Sequence, residues 1–239
     1  MRKSKPTNGD RTGPRRDILA AEVLDKAAIL FAARGFAATS LQDVADLVGL
    51  SRTSIYHYFD SKDALLQELV RGVTRQAAQI FDEIDRDVAL SPSGKVREAA
   101  RRLVLWVTDP RTHFKLVDRS EHELPAGIAA VHRQAKRRVL DGMRKLIEAG
   151  IEAGEFRAAD ASIAAFTIIG MCNWTAWWFQ PSGGKTAKEI ADAIADHAVA
   201  SLCRPAAAAG ATDLKSLTSA IRAELDLIDT IHGPKRRRK

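Results

Sequence analysis

Residues 39–63 read TSLQDVADLVGLSRTSIYHYFDSKD. Ser40 is followed three residues on by Asp43, close to the reciprocal capping pattern that opens a helix. Leu41, Val44, Ala45 and Val48 then recur at helical spacing and give that helix one apolar face. Gly49 supplies the left-handed residue that ends it. Ser51 caps a second helix, whose inner side is marked by Ile55 and Phe59 at i and i+4. Arg52, Thr53, Ser54, Tyr56, His57 and Tyr58 are left pointing outward. A solvated helix normally carries Lys, Glu and Gln, whereas hydroxyls and aromatics suit phosphates, base edges and thymine methyls in a major groove. The spacing predicts a helix-turn-helix with its second helix as the reader. A hairpin that merely packs would leave the aromatic outward face unexplained.

Upstream, Leu24, Ala27, Ala28 and Phe31 form the buried stripe of a first helix over about residues 17–34, closed by Gly35. Downstream, Leu66, Leu69, Val70, Val73, Ala77, Ile80, Phe81 and Ile84 hold one face from Ser61 or Lys62 to about Asp87. So long a stripe must cross from a small domain into a larger one. SPSG at 91–94, Asp109-Pro110, Gly154 and the Pro181–Gly184 loop divide the chain beyond it into helices over about 95–108, 126–153, 160–180 and 187–203. Strand signals are nearly absent, and the fold class expected is all-α. The domains expected are a disordered basic arm at 1–16, the helix-turn-helix domain at 17–64 and a ligand-binding and dimerisation domain at 65–204. Residues 205–239 are expected to hold a linker, an amphipathic helix over about 212–231 and a basic tail. In that helix Leu214, Leu217, Ile221, Leu225 and Ile228 make a short heptad-like seam. Fewer than three heptads favour packing against the body over a coiled coil.

Net charge is +7 over 239 residues, and its placement matters more than its size. Residues 1–16 carry +5 and the terminal KRRRK another +5, which leaves the body at −3. The N-terminal arm enters the first helix beside the reading face, where it would add phosphate contacts. The C-terminal arm reads equally as solubilising charge. No apolar run approaches the ~20 residues a membrane helix needs, and no signal-peptide pattern precedes Asp17. Cys172 and Cys203 show no metal-ligand or CxxC spacing and read as buried thiols in a reducing cytoplasm.

Gly49, Ser51, Tyr56, Tyr58, Phe59 and Lys62 make a G-x-S-x-x-x-x-Y-x-Y-F-x-x-K pattern that resembles the N-terminal domain of tetracycline-repressor-type regulators. Phe31, Gly35, Phe36, Thr39 and Ser40 add the family's lead-in, and the resemblance runs without gaps from about Asp17 to Val70. It implies a homodimer that binds a palindromic double-stranded DNA operator. Thr53, Tyr56 and His57 would then read bases. Arg52, Ser54, Tyr58, Lys62 and the cap residues Thr39 and Ser40 would complete the DNA contact. In that family the last two long helices of each subunit form a four-helix dimer interface, a role that the helices over 160–180 and 187–203 can fill. A second stretch, CNWTAWWFQPSGGKTAKEIADAIAD (172–196), resembles the ligand domain of the acyl-CoA-responsive subgroup through Asn173, Trp174, Trp177, Trp178, Phe179, Pro181 and Gly184. The effector it implies is a small molecule, an acyl-CoA thioester of lipid or steroid catabolism.

The candidate ligand residues are Trp106, Arg119, His122, Met143, Asn173, Trp174, Trp177 and Trp178. Arg133, Arg137 and Arg138 are further choices for CoA phosphates. Aromatics at helical spacing are equally ordinary core and dimer packing, and Glu121-His122-Glu123 is equally a solvated turn. No catalytic constellation, metal set or cofactor site is legible. SGGKT at 182–186 lacks the first glycine of a phosphate loop and follows a helix. His113, His122 and His132 do not fall on one helical face. The reading is a cytoplasmic, ligand-responsive repressor, not an enzyme. Its alternatives are a repressor with another hydrophobic ligand and a ligand-independent DNA-binding protein.

Overall fold

The computed structural model describes residues 14–203 and four isolated positions further on, 218, 221, 222 and 225. Between residues 14 and 203 it is all-helical: α1 (Pro14–Arg34), α2 (Leu41–Val48), α3 (Arg52–Ile55), α4 (Lys62–Arg86), α5 (Pro92–Thr108), α6 (Phe114–Arg119), α7 (Ala126–Glu152), α8 (Ala161–Trp178) and α9 (Ala187–Leu202). Single 3-10 turns over Pro110–Thr112 and Glu121–Glu123 flank α6. Residues 1–13 of the expected arm, the basic tail, and Leu214, Leu217 and Ile228 of the expected amphipathic helix lie outside the described residues. Ile221 and Leu225 are described, are helical and are exposed.

The helix starts follow their caps. Ser40 accepts a hydrogen bond from the Asp43 amide while the Asp43 carboxylate accepts one from the Ser40 amide, so the capping box is complete. That bonding with Ser40 holds the Asp43 carboxyl below the usual carboxylate range. Thr186 and Glu189 form a second capping box at α9, while Ser51, Ser61, Ser91 and Asp160 cap α3, α4, α5 and α8 by side-chain acceptance alone. Gly49 ends α2 at φ 74°, a left-handed conformation that glycine adopts without a Cβ penalty. Two starts fall earlier than the periodicity predicts. α1 begins at Pro14, so Pro14–Arg16 belong to the helix instead of the arm. α5 begins at Pro92, because Ser91 of the SPSG break is its cap and proline suits the first turn, where no amide bond is lost.

Two apolar cores result, and α4 is built into both. The first gathers Val23, Ala27 and Phe31 of α1, Val44 of α2, Ile55, and Leu66 to Val73 of α4, and is joined by Val107, Phe114 and Val117. The second gathers Phe81 and Ile84 from the far end of α4 with Leu103 of α5, Met143 and Ile147 of α7, Ile168 and Cys172 of α8, and Leu202 of α9. Trp106 packs against both. α5 is central, lying against α4, α7, α8 and α9. Gly142 lets α7 approach α4 closely: a Cβ there would meet the Phe81 ring at 2.8 Å. Burial pushes the Cys172 thiol up to about 12, so it behaves as a neutral core group. Among the described residues no helix is long and apolar enough to cross a membrane.

A candidate DNA-reading surface and a helical cavity

α2 and α3 meet through the Gly49 turn, with Ile55 and Phe59 buried beneath and Arg52, Thr53, Tyr56 and His57 exposed. α3 is shorter than its apolar pair implies. After Ile55 the chain changes to tight i−3 bonds, His57 N–H to Ser54 O at 3.1 Å and Tyr58 N–H to Ile55 O at 2.9 Å. Tyr56 and His57 therefore stand out from a tightened turn, and Tyr56 is 46% exposed. Ser54 is half-buried, its hydroxyl paired with that of Ser51 at 2.7 Å. Tyr58 is also half-buried and packs on the first core, with the Arg16 guanidinium 6.0 Å from its ring centre. Arg16 also donates to the His57 carbonyl at 3.1 Å, so the first turn of α1 buttresses the reader.

A cleft of about 450 Å³ lies beside Tyr56, walled by Ala37, Ala38, Ser40, Asp60, Ser61 and Lys62. The capped N-termini of α2 and α4 both open there, and helix N-termini attract phosphate. Ser61 and the Ala37-Ala38 segment join this cleft without being marked as contact residues in the sequence, where the only signal is the position of Ser61 before a helical stripe. Two of the expected contact residues turn inward. Thr39 is 1% exposed and its hydroxyl donates to the Gly35 carbonyl at 2.9 Å. The Lys62 ammonium donates to the Phe36 carbonyl at 2.8 Å and lies 4.3 Å from the Phe36 ring centre. Both brace the 35–40 loop.

In the larger helical body, a cavity of about 230 Å³ lies among α4, α5, α7 and α8. Its wall is mainly apolar, from Val73, Leu103, Trp106, Phe114, Leu140 and Ile169, with Asn173, His132, Lys136 and Arg137 as polar members. The Trp106 indole is fixed by donating to Gln76 Oε1 at 3.0 Å and by an edge-on contact with Phe114, ring centres 5.2 Å apart. Of the eight residues predicted to bind ligand, Trp106 and Asn173 line this cavity. Met143 is buried in the second core, and Arg119 and His122 are exposed around the α6–α7 connection. Trp174, Trp177 and Trp178 are exposed and do not line it; with Ile163 and Phe166 they form an apolar band along the outside of α8. In the sequence His132 stands out only as a possible metal ligand, and no periodic signal marks it as a cavity residue.

The fold and this surface define a helix-turn-helix DNA-binding regulator with a separate helical body. Residues 23–69 match the family model described as bacterial regulatory proteins, tetR family, and residues 89–202 match the tetracyclin repressor-like C-terminal domain. The chain belongs to the TetR family of transcriptional regulators and is not an enzyme. It is 28% identical over 180 residues to the transcriptional repressor KstR2 of Rhodococcus jostii, covering 71% of this chain and 84% of that protein. Among solved structures, the TetR-family regulator PfmR of Thermus thermophilus is 27% identical, with a TM-score of 0.68 over 76% of this chain and 99% of PfmR. AibR, solved in complex with isovaleryl coenzyme A and operator DNA, shares the fold at 24% identity, with a TM-score of 0.65 over 75% of this chain and 97% of AibR.

Proposed function

We propose that this chain is a cytoplasmic, one-component repressor that binds a palindromic operator as a homodimer and leaves it when an acyl-CoA thioester occupies the cavity of the larger domain. Residues 17–64 form the reader and 65–204 the ligand-binding and dimerisation domain. The observation that carries the DNA assignment is the exposed Thr53–Tyr56–His57 face, set beside a cleft into which two capped helix N-termini open. Hydroxyl and imidazole groups suit base edges, and the helix ends suit the flanking phosphates. The exposed band on α8 supplies the dimer surface, since large contiguous apolar patches mark association sites. The ligand class rests on the Asn173-to-Gly184 motif together with an apolar cavity that has Lys136 and Arg137 in its wall. KstR2 is named a repressor and AibR was solved with a coenzyme A thioester; both are statements about those proteins.

The test begins with selection of operator sequences from random DNA by the full chain. Tyr56→Ala should lower affinity for the selected palindrome about 10- to 100-fold, the usual worth of a good base contact. Its melting temperature and oligomeric state should match wild type. A Tyr56→Ala protein that binds the palindrome as tightly as wild type would remove the reader assignment.

A further inference from the structure

The cavity holds one group that the fold leaves unsatisfied. His132 on α7 is only 6% exposed and lies in the wall, and neither of its ring nitrogens has a hydrogen-bond partner. Its nearest carboxylate, Glu121, stands 3.9 Å from Nε2, beyond hydrogen-bond reach, and is itself taken by the Lys136 ammonium at 2.8 Å. A buried polar group without a partner costs free energy, and in native proteins such groups usually find protein, water or ligand. The imidazole forms part of the cavity wall, so the nearest space in which a partner could be placed is the cavity.

We propose that His132 is the recognition residue of this cavity, that it hydrogen-bonds an uncharged carbonyl oxygen, and that the body carried by that carbonyl is compact. This rests on the reading that the cavity is the effector site. The size limit comes from volume. A cavity of about 150 Å³ holds benzene, so 230 Å³ admits on the order of nine non-hydrogen atoms by proportion. A branched short chain or a single substituted ring fits. A sixteen-carbon chain or a steroid nucleus exceeds that volume and would project from the open side of the cavity. The preference for a carbonyl over a carboxylate comes from charge. Desolvation lowers the imidazole's proton affinity and keeps it neutral, and the Glu121 and Asp118 carboxylates flank it. A second buried anion would find repulsion there, and of the two cations in the wall Lys136 is already paired with Glu121. On the acyl-CoA reading, the thioester oxygen meets His132, the short acyl group fills the space beside Trp106 and Ile169, and the nucleotide stays outside.

The experiment is a thermal-shift and calorimetric titration of the full chain with isovaleryl-CoA, benzoyl-CoA, palmitoyl-CoA, free CoA and isovalerate. His132→Gln and His132→Leu proteins are titrated alongside. The short and single-ring thioesters should bind wild type at least tenfold tighter than palmitoyl-CoA, free CoA or isovalerate. His132→Leu should lose about tenfold of that affinity, as expected for one buried hydrogen bond, while His132→Gln keeps most of it. Wild-type binding should also move the His132 ring resonances, a readout that survives if either variant folds poorly. Palmitoyl-CoA binding as well as isovaleryl-CoA, isovalerate alone binding as well, or His132→Leu responding like wild type would overturn the inference and leave the effector site standing. Silence of every thioester would overturn the ligand class as well.

Discussion

Lys62 and Thr39 stand at the edge of the reading face, yet their polar atoms serve the 35–40 loop. The spacing of Ser40, Asp43, Gly49 and Ser51 was enough to place both helices and their caps. It could not say which of two adjacent hydroxyls faces solvent. That is decided by the left-handed turn at Gly35, φ 81°, which returns the chain so that Thr39 closes onto the Gly35 carbonyl and Ser40 is left as the cap. For Lys62, a bracing role and a phosphate role make different predictions. Lys62→Met should lower the melting temperature by a few degrees, because the Phe36 and Ala37 carbonyls lose their donor. The slope of log operator affinity against log salt should stay unchanged. A slope smaller by ~0.9 at unchanged melting temperature would show a direct phosphate contact instead.

At the scale of elements, the long helices were legible and α6 was not. Leu66 to Ile84 keep one face over the length of α4, so periodicity alone found a helix crossing both cores. FKLVDRSEHELP (114–125) shows no helical period in the sequence, because a six-residue helix between two 3-10 turns has too few repeats to carry one. That short piece and the residue before it nevertheless touch two functional parts. Phe114 lines the cavity and packs on Trp106. His113, immediately before it, holds a left-handed conformation, φ 57°, which is uncommon outside glycine. Its Nε2 lies 3.0 Å from Asp25 Oδ1 on α1, the helix that braces the reader. A ligand that moves Phe114 would therefore pull on α1 through one polar link. Asp25→Ala should leave ligand-free operator binding within about threefold of wild type and reduce the change in operator affinity caused by ligand by about fivefold or more. His113→Asn, which tolerates the left-handed turn, should do the same, and the double variant should add little. Additive losses in the double variant would mean the two residues act separately and that α6 is coupled to the reader by another route.

For the whole molecule, the decisive feature is the outer face of α8. Three tryptophans at helical spacing read alike as cavity wall or as packing, since periodicity reports that residues share a face but not what the face meets. The structure separates them by burial. Asn173 and Ile169 turn toward the cavity, whereas Trp174 is 65% exposed and stands in line with Ile163 and Trp177. Phe166 lies where the two regions join, lining the cavity while largely exposed. Aromatic surface of this extent marks an association site and supports the proposed homodimer. A single reader also spans only a half-site, while a palindrome needs two readers about one helical turn apart, 34–36 Å. On the proposed dimer, Trp174→Glu should therefore place a charge in the subunit contact without disturbing either core. Sedimentation should show a monomer whose helix content and melting cooperativity are retained. Affinity for the full palindrome should fall by roughly 100-fold or more, the loss expected when the second half-site no longer binds intramolecularly. Binding to an isolated half-site should be unchanged. A Trp174→Glu protein that remains dimeric at micromolar concentration would move the interface off α8 and reopen the exposed tryptophans as a surface for a different partner.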